Sequence, residues 1–203
     1  MKRLITTFLL MASLTGAGQV MASKAPQTLV EETSQLMIAK LREEKEIIKA
    51  EPGRIYQLVD QIILPHFDFE YMSQMVLAKY WRRASAEQRA AFTDEFKMLL
   101  VRTYATSLNE YADQDIIYLP YRAGSKPDQA VVRTEVEQAG SFPIPIDYQL
   151  HRKGEGWKVF DVVIDGVSLV TNYRSSFARE IRKGGLDQLI KTLADRNQRA
   201  TSG

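Results

Sequence analysis

The sequence predicts an α+β fold in which a four-stranded antiparallel sheet packs on a bundle of helices. Apolar residues recur at helical spacing as far as Tyr111, and from there to Asp165 they alternate with polar residues. A change of period from 3.6 to 2 marks a change from helices to strands. The alternating segments are joined by short connections, which favour antiparallel neighbours with one face covered by the preceding helices.

The first 22 residues have the features of a signal peptide. Lys2 and Arg3 precede an uncharged run, and Val20-Met21-Ala22 places small residues where a signal peptidase cleaves. The apolar run is too short for a comfortable membrane span. We therefore expect cleavage after Ala22, leaving residues 23–203 as one exported domain. An uncleaved membrane anchor is the alternative, although Gly16 and Gly18 interrupt the run early.

Composition excludes several classes of function. The chain has no cysteine, so disulfides, thiolate metal sites and a lipoprotein anchor are all excluded. Loss of Lys2 and Arg3 would reduce the 27 basic residues to 25, which equals the number of acidic residues. A chain of zero net charge argues against nucleic acid as a partner, because phosphate binding needs a clustered basic excess.

The helical half divides into four amphipathic segments. They cover residues 28–50, 55–63, 67–81 and 85–111. Pro52-Gly53 and Pro65 end the first two segments, since proline does not continue a helix. Ser85 and Gln88 have the spacing of a capping box, which opens the fourth segment.

Four alternating segments predict the strands. They are DIIYLPY (115–121), AVVRTEV (130–136), PIDYQLHR (145–152) and GWKVFDVVID (156–165). Past Gly166 the apolar residues continue as Val167, Leu169 and Val170, where the end of a surface strand would be expected to turn polar. Two short helices close the chain on either side of Gly184-Gly185.

The apolar residues of this fold have two interpretations. Methionine and aromatic side chains at helical spacing usually fill gaps in an ordinary core. A sheet lying over helices can also leave an apolar ligand pocket between the two layers. Composition alone does not separate these alternatives.

Candidate catalytic groups are weak. Ser168 lacks the second glycine of a nucleophile elbow and is better suited to cap a helix. His66 and Asp68 have a spacing that more often begins a helix than performs acid-base chemistry. His151 is far from His66 in sequence, which makes a poor case for a metal site. Asp161 and Asp165 would lie about 13–14 Å apart along a strand, too far for a carboxylate pair. We therefore assign no catalytic residue and no metal ligand.

Two blocks of the sequence resemble a known family. Residues 67–111 and 156–196 are similar to the periplasmic phospholipid carriers of the Mla (maintenance of lipid asymmetry) pathway, also called the toluene-tolerance auxiliary family. The most specific matches are Trp81, Arg82, Phe92, Trp157, Asp161, Gly166, Val167, Ser168, Leu169, Asn172, Tyr173, Arg174 and Phe177. Ala78 stands where many relatives carry glycine.

This resemblance implies a non-enzymatic periplasmic carrier without a cofactor, whose cargo is a glycerophospholipid. The acyl chains would lie in an apolar cavity between sheet and helices, and the headgroup would stay in water with weak selectivity. Its implied partners are an outer-membrane lipoprotein–porin complex and an inner-membrane ABC transporter complex with a periplasmic lipid-binding subunit.

The same resemblance nominates lipid-binding residues on both layers. They are Met75, Phe92, Phe96 and Tyr104 on the helices and Ile146, Tyr148, Leu150, Phe160, Val162, Ile164, Val167 and Leu169 on or after the strands. An inverted strand would present Val159 and Val163 instead. Val167 and Leu169 would line or border the mouth of the cavity, so we expect Val167→Glu to block the loading of lipid. An enzyme with His66 or Asp161 as base, and an adaptor protein with a filled interior, remain open.

Overall fold

The structure is a computed structural model that describes residues 24–110, 113–123, 125–138 and 140–199. The predicted signal peptide and its cleavage site lie outside these residues. Within the described ranges, no helix combines the length and apolar character that a membrane crossing requires.

The helices follow the predicted order but divide differently. Their bounds are α1 Pro26–Glu43, α2 Lys45–Ala50, α3 Arg54–Ile62, α4 Phe69–Leu77, α5 Ala86–Glu110 and α6 Leu169–Arg199, with 3-10 turns at Leu64–His66 and Ala78–Arg83. The predicted helix over 28–50 is broken at Glu44. The two predicted final helices form one element, α6, which is interrupted at Gly185, where φ is 82°. The capping box of α5 is confirmed, because the Gln88 backbone N–H donates to Ser85 Oγ at 3.2 Å.

The sheet is antiparallel as predicted, but the expected number of strands is wrong. The strands are β1 Ile116–Tyr118, β2 Arg122–Ala123, β3 Gln129–Val136, β4 Ile144–Lys153, β5 Gly156–Ile164 and β6 Val167–Ser168. Five of them follow the order β1-β3-β4-β5-β6 across the sheet. The short strand β2 also pairs with β3, at Ala130 and Val131, whereas β1 pairs with the other end of β3. The predicted first strand, 115–121, is shortened to Ile116–Tyr118 and ends before Pro120, which has no backbone N–H for the ladder, and β2 begins only after its predicted end. The fifth strand, β6, forms because the chain turns back at Gly166 and pairs Val167 with Ile164.

A bulge in β5 changes which side chains face the helices. Gln149 of β4 is paired with Asp161 but Leu150 is paired with Val159, so Phe160 is the extra residue. An extra residue shifts the alternation of a strand by one position. Val159 and Val162 therefore point to the same face, although a regular strand would separate them.

The hydrophobic core consists of two separate clusters. The sheet-side cluster joins β3–β5 to α4, α5 and α6 and includes Val30, Met72, Phe92, Phe96, Leu100, Leu150, Val159, Val162, Leu169 and Phe177. The helix-side cluster contains Met37, Leu41, Ile48, Ile55, Leu58, Val59, Val101 and Ala105. Among the described residues, the helix-side cluster has no member from a strand. Helix α5 contributes to both clusters, through Leu100 and its neighbour Val101.

Asp161 joins the end of the sheet to α6. Its buried carboxylate accepts hydrogen bonds from Ser168 Oγ at 2.6 Å and from the Val170 backbone N–H at 3.1 Å. Ser168 Oγ in turn accepts from the Thr171 backbone N–H at 3.0 Å. Both side chains thus satisfy donors of the first turn of α6, which is the capping role predicted for Ser168.

Asp68 joins the helices to the middle of the sheet. Its buried carboxylate accepts from the Tyr71 backbone N–H at 3.1 Å and from Lys153 Nζ at 2.9 Å, and His151 Nε2 lies 3.0 Å away. The Asp68 backbone N–H donates to the Val159 carbonyl at 2.9 Å. Burial alone would raise the pKa of Asp68, but the hydrogen bonds from Lys153 and Tyr71 and the nearby positive charges outweigh burial, and its pKa lies below the ordinary value.

Ala78 ends α4 in a conformation that disfavours a side chain. Its φ is 49° and its ψ is −115°, while its backbone N–H donates to the Gln74 carbonyl. In such regions of φ and ψ, backbone strain costs a non-glycine residue about 1–3 kcal/mol of stability. The glycine that the resemblance implies at this position would therefore have a backbone explanation.

We predict that Asp68→Asn removes a pH-dependent part of the stability. Because folding lowers the Asp68 pKa, its contribution is complete above the unfolded-state value of about 3.9 and is lost as the pH falls through the lower folded value. Urea titrations should show the variant about 2 kcal/mol less stable at pH 7, with the gap closing below pH 4. Asp94→Asn, at an exposed site, should change little. A gap that is independent of pH would contradict this role.

We predict that Ala78→Gly raises the free energy of unfolding by about 1 kcal/mol, because relief of the backbone strain exceeds the entropy that glycine adds to the unfolded chain. Ala91→Gly, at an exposed position inside α5, should have the opposite sign and cost about 1 kcal/mol. Denaturant midpoints for both variants provide the measurement. A loss of stability in both would show that the Ala78 conformation carries no strain.

Candidate functional site

An apolar pocket of about 380 Å³ lies between the two core clusters. Its walls come from α1, α3, the 3-10 turn at Leu64–His66 and the second half of α5 on one side, and from β1, β3, β4 and β5 on the other. Members of both clusters line it, including Val30, Val159 and Val162 from the first and Met37, Val59 and Ala105 from the second. Each cluster thus packs its own elements, and the space between them stays open.

The wall of the pocket carries no charge at neutral pH. No Asp, Glu, Lys or Arg is found among the lining residues that the structure describes. Burial raises the pKa of Tyr104 to about 12, with Tyr173 adding to the effect, and burial also raises the pKa of Tyr148 to about 12. Burial and the nearby Lys158 and Lys24 lower the pKa of His66, which keeps its ring neutral.

Six of the twelve nominated residues line this pocket. They are Tyr104, Ile146, Tyr148, Val162, Ile164 and Leu169. The strand residues among them follow the predicted alternation, and Leu169 lies where the chain enters α6. The structure therefore brings these six side chains together around one space.

Four other nominated residues belong to the packed sheet-side cluster and do not line the pocket. Phe92 and Phe96 are fully buried, and each lies edge-on to Phe177. Leu150 is also fully buried, and Met75 packs against the same cluster. Composition does not distinguish these side chains from pocket-lining ones, because both kinds are apolar and buried.

Phe160 and Val167 are displaced from the wall by local backbone geometry. At the bulge, Phe160 turns towards Tyr71 and His151, whose rings it meets edge-on. Val159 replaces it in the pocket wall, whereas Val163, the other residue of the inverted alternative, does not line the pocket. Val167 follows the turn at Gly166 and is 54% exposed. A glutamate at Val167 would therefore meet water, which corrects the expectation that this substitution places a carboxylate in the cavity.

Sequence reasoning missed most of the helical wall. Leu29, Val30, Thr33, Ser34, Met37, Ile38 and Leu41 of α1 line the pocket, as do Leu100, Val101, Ala105 and Leu108 of α5. The amphipathic stripe of α1 identifies Met37 and Leu41 as inward-facing. It gives no sign that they face an open space, because the stripe of a packed helix has the same period.

The two candidate catalytic bases, His66 and Asp161, do not lie together in the pocket. Asp161 is not part of the lining and its carboxylate is occupied by Ser168 and Val170. His66 lines the pocket without any carboxylate among the other lining residues. In the part of the chain that the structure describes, no group of three or more His, Cys, Asp or Glu side chains could hold a metal ion.

Two characterised proteins are similar to this chain along most of its length. The toluene tolerance protein ttg2D of Pseudomonas putida is 30% identical over 173 residues, which are 85% of this chain and 80% of that protein. The intermembrane phospholipid transport system binding protein MlaC of Haemophilus influenzae is 29% identical over 192 residues, 93% of this chain and 89% of that protein.

A solved structure shares the fold. The phospholipid-binding protein of Ralstonia solanacearum, in complex with a phospholipid, superposes with a TM-score of 0.80 at 32% identity. The match covers 88% of this chain and 99% of that one. Residues 31–195 also match the family model described as MlaC protein. The match spans most of the chain, including the helices and strands that enclose the apolar pocket, and the chain therefore belongs to the MlaC family.

Proposed function

We propose that this protein is a periplasmic carrier of glycerophospholipids, with the acyl chains of its cargo in the apolar pocket. The observation that carries the proposal is the division of the core into two clusters with an uncharged space between them. A volume of about 380 Å³ lies within the range of ligand pockets in proteins. The phospholipid in the Ralstonia solanacearum complex supports a phospholipid as the class of cargo.

The energetics of acyl chains explain why a carrier would need this geometry. Exposing each CH₂ group to water costs about 0.8 kcal/mol, so a 16-carbon chain costs on the order of 12 kcal/mol. A free phospholipid therefore crosses an aqueous compartment very slowly. Side chains such as Ile146, Val162 and Ile164 give the acyl chains an apolar environment, and they have no polar group that would need a hydrogen bond. Any ionised group on that wall would have to lose its hydration when the cargo enters.

The names of the relatives support a role in lipid transport. The Haemophilus influenzae protein is named as the binding protein of an intermembrane phospholipid transport system. We infer that this chain is exported, with cleavage after Ala22, and moves lipid between an outer-membrane lipoprotein–porin complex and an inner-membrane ABC transporter complex. Such a shuttle would support the lipid asymmetry of the outer membrane, and it would need neither a catalytic residue nor a cofactor.

We predict that Ala105→Trp lowers lipid carriage at least about tenfold while the fold persists. Ala105 is buried on the pocket wall, so an indole there would occupy space meant for acyl chains. Displacing two CH₂ groups costs about 1.6 kcal/mol, which already lowers affinity more than about tenfold. The measurement places donor and acceptor vesicles on two sides of a filter that passes the protein and retains vesicles, and follows a radiolabelled phospholipid into the acceptor side.

Thr106→Trp is the matched control, because Thr106 is the next residue of α5 and is exposed. This variant should carry lipid at the wild-type rate. Circular dichroism and urea midpoints for both variants verify that each remains folded. Normal lipid carriage by a folded Ala105→Trp variant would show that the acyl chains do not bind in this pocket. Absence of carriage by the wild-type protein, with no lipid uptake from vesicles, would favour the adaptor interpretation.

A further inference from the structure

The two most exposed large apolar side chains of the described residues lie next to the same wall of the apolar pocket. Phe142 is 90% exposed and Val167 is 54% exposed. Phe142 precedes Ile144 by two residues and Val167 is paired with Ile164, and both isoleucines line the pocket. Single exposed apolar residues are common on proteins and need no explanation. Two of them beside one candidate binding site are a reason to look at their geometry.

Val167 continues a row of pocket-lining residues across the sheet. Ile146 is paired with Ile164, and Ile164 is paired with Val167. Residues directly opposite each other in antiparallel strands share one face of the sheet. Strand β6 is the last in the strand order, so Val167 ends this row at the edge of the sheet. The row therefore leads from the pocket wall to an exposed apolar side chain.

Phe142 extends a neighbouring row in the same way. Ile116, Val136 and Ile144 are paired side by side, and all three line the pocket. Phe142 and Ile144 each precede a proline, which restricts both residues to extended backbone conformations. Side chains two residues apart in an extended chain share a face, so Phe142 lies on the side of Ile144, beyond the last paired residue.

The segment that carries Phe142 has no charged side chain. Residues 138–146, QAGSFPIPI, are the longest run without Asp, Glu, Lys, Arg or His after the predicted cleavage site, in a chain with 26% charged residues. The chain turns at Gly140, where φ is 78°, and the Ser141 backbone N–H donates to the Gln138 carbonyl at 3.2 Å. A charged side chain would have to lose its hydration on entering a lipid layer. This segment can approach hydrocarbon without that cost.

We propose that Phe142 and Val167 form an apolar rim that inserts into the surface of a phospholipid bilayer, so that acyl chains pass between the bilayer and the pocket with little exposure to water. Exposure of the acyl chains opposes the exit of a phospholipid from a membrane, and a continuous apolar path reduces that exposure. Insertion is shallow, because the backbone groups of the loop need water or internal partners. The inference rests on the proposed carrier function and adds direct contact with a bilayer to it.

Phe142→Trp reports contact between the apolar rim and a bilayer. The native Trp81 and Trp157 are each 9% exposed and provide a constant background. Emission of the lipid-loaded variant is recorded alone, with excess phosphatidylcholine vesicles, and after the vesicles are removed by filtration. It should shift to shorter wavelength with the vesicles and return after their removal, which separates contact from loading. Because the contact is apolar, the shift should persist at high salt.

Ile47→Trp is the matched control for the reporter. Ile47 is 50% exposed on α2 and is outside the pocket lining. Its emission should not change when the same vesicles are added.

Phe142→Ser tests whether the contact serves transfer. This variant should exchange lipid with vesicles at least about tenfold more slowly, the effect of losing the burial of one phenylalanine side chain during exchange. The amount of lipid bound at equilibrium should not change, because Phe142 is outside the pocket lining. Val167→Ser should also slow exchange. Ile47→Ser, which removes an exposed apolar side chain elsewhere, should exchange at the wild-type rate.

The outcomes separate the apolar rim from the carrier function. Unshifted emission of Phe142→Trp with vesicles, in a protein that still loads lipid, would overturn the bilayer contact and make a partner protein the occupant of the rim. Equal exchange rates for Phe142→Ser and Ile47→Ser would overturn it as well. Both results would leave the carrier function intact. Absence of lipid from the wild-type protein, as purified and after incubation with vesicles, would overturn both proposals.

Discussion

Separation of the core into two clusters is the constraint on which the rest of this structure depends. A chain of this size normally gains stability by closing its apolar residues into one densely packed core. Here α5 packs Phe92, Phe96 and Leu100 against the sheet side and Val101 and Ala105 against α1 and α3. Because one helix serves both clusters, the two can be stable without meeting across the pocket. The space that remains is available to a ligand.

Buried carboxylates hold the elements around that space without entering it. Asp161 fixes the first turn of α6 to β5, and Asp68 fixes α4 to β4 through His151 and Lys153. Both are absent from the pocket lining. Their hydrogen bonds compensate for the cost of burying charge, which is otherwise high. These two carboxylates, which the sequence analysis considered as catalytic candidates, thus have structural partners among the described residues.

The sequence predicted the strand faces better than it predicted the pocket. Alternation correctly placed Ile146, Tyr148, Val162 and Ile164 on one side of the sheet. It failed at Phe160, because a bulge is decided by pairing with β4 and leaves no periodic signal in β5 itself. Val167 is outside the pocket lining, because the chain turns back and pairs it with Ile164 in β6, where its side chain is exposed. Phe92 and Tyr104 show why the sequence pattern does not identify the pocket-lining residues. Periodicity marks both as inward-facing, but whether a side chain meets another side chain or an open space depends on three-dimensional packing.

The central claim is that the space between the clusters holds the acyl chains of a phospholipid. Native mass spectrometry of the protein, expressed in bacteria and purified without detergent, tests this most directly when followed by extraction and identification of any bound molecule. The account predicts a stoichiometric adduct with the mass of a glycerophospholipid. A bare protein mass, with no adduct after incubation with phospholipid vesicles, would contradict it.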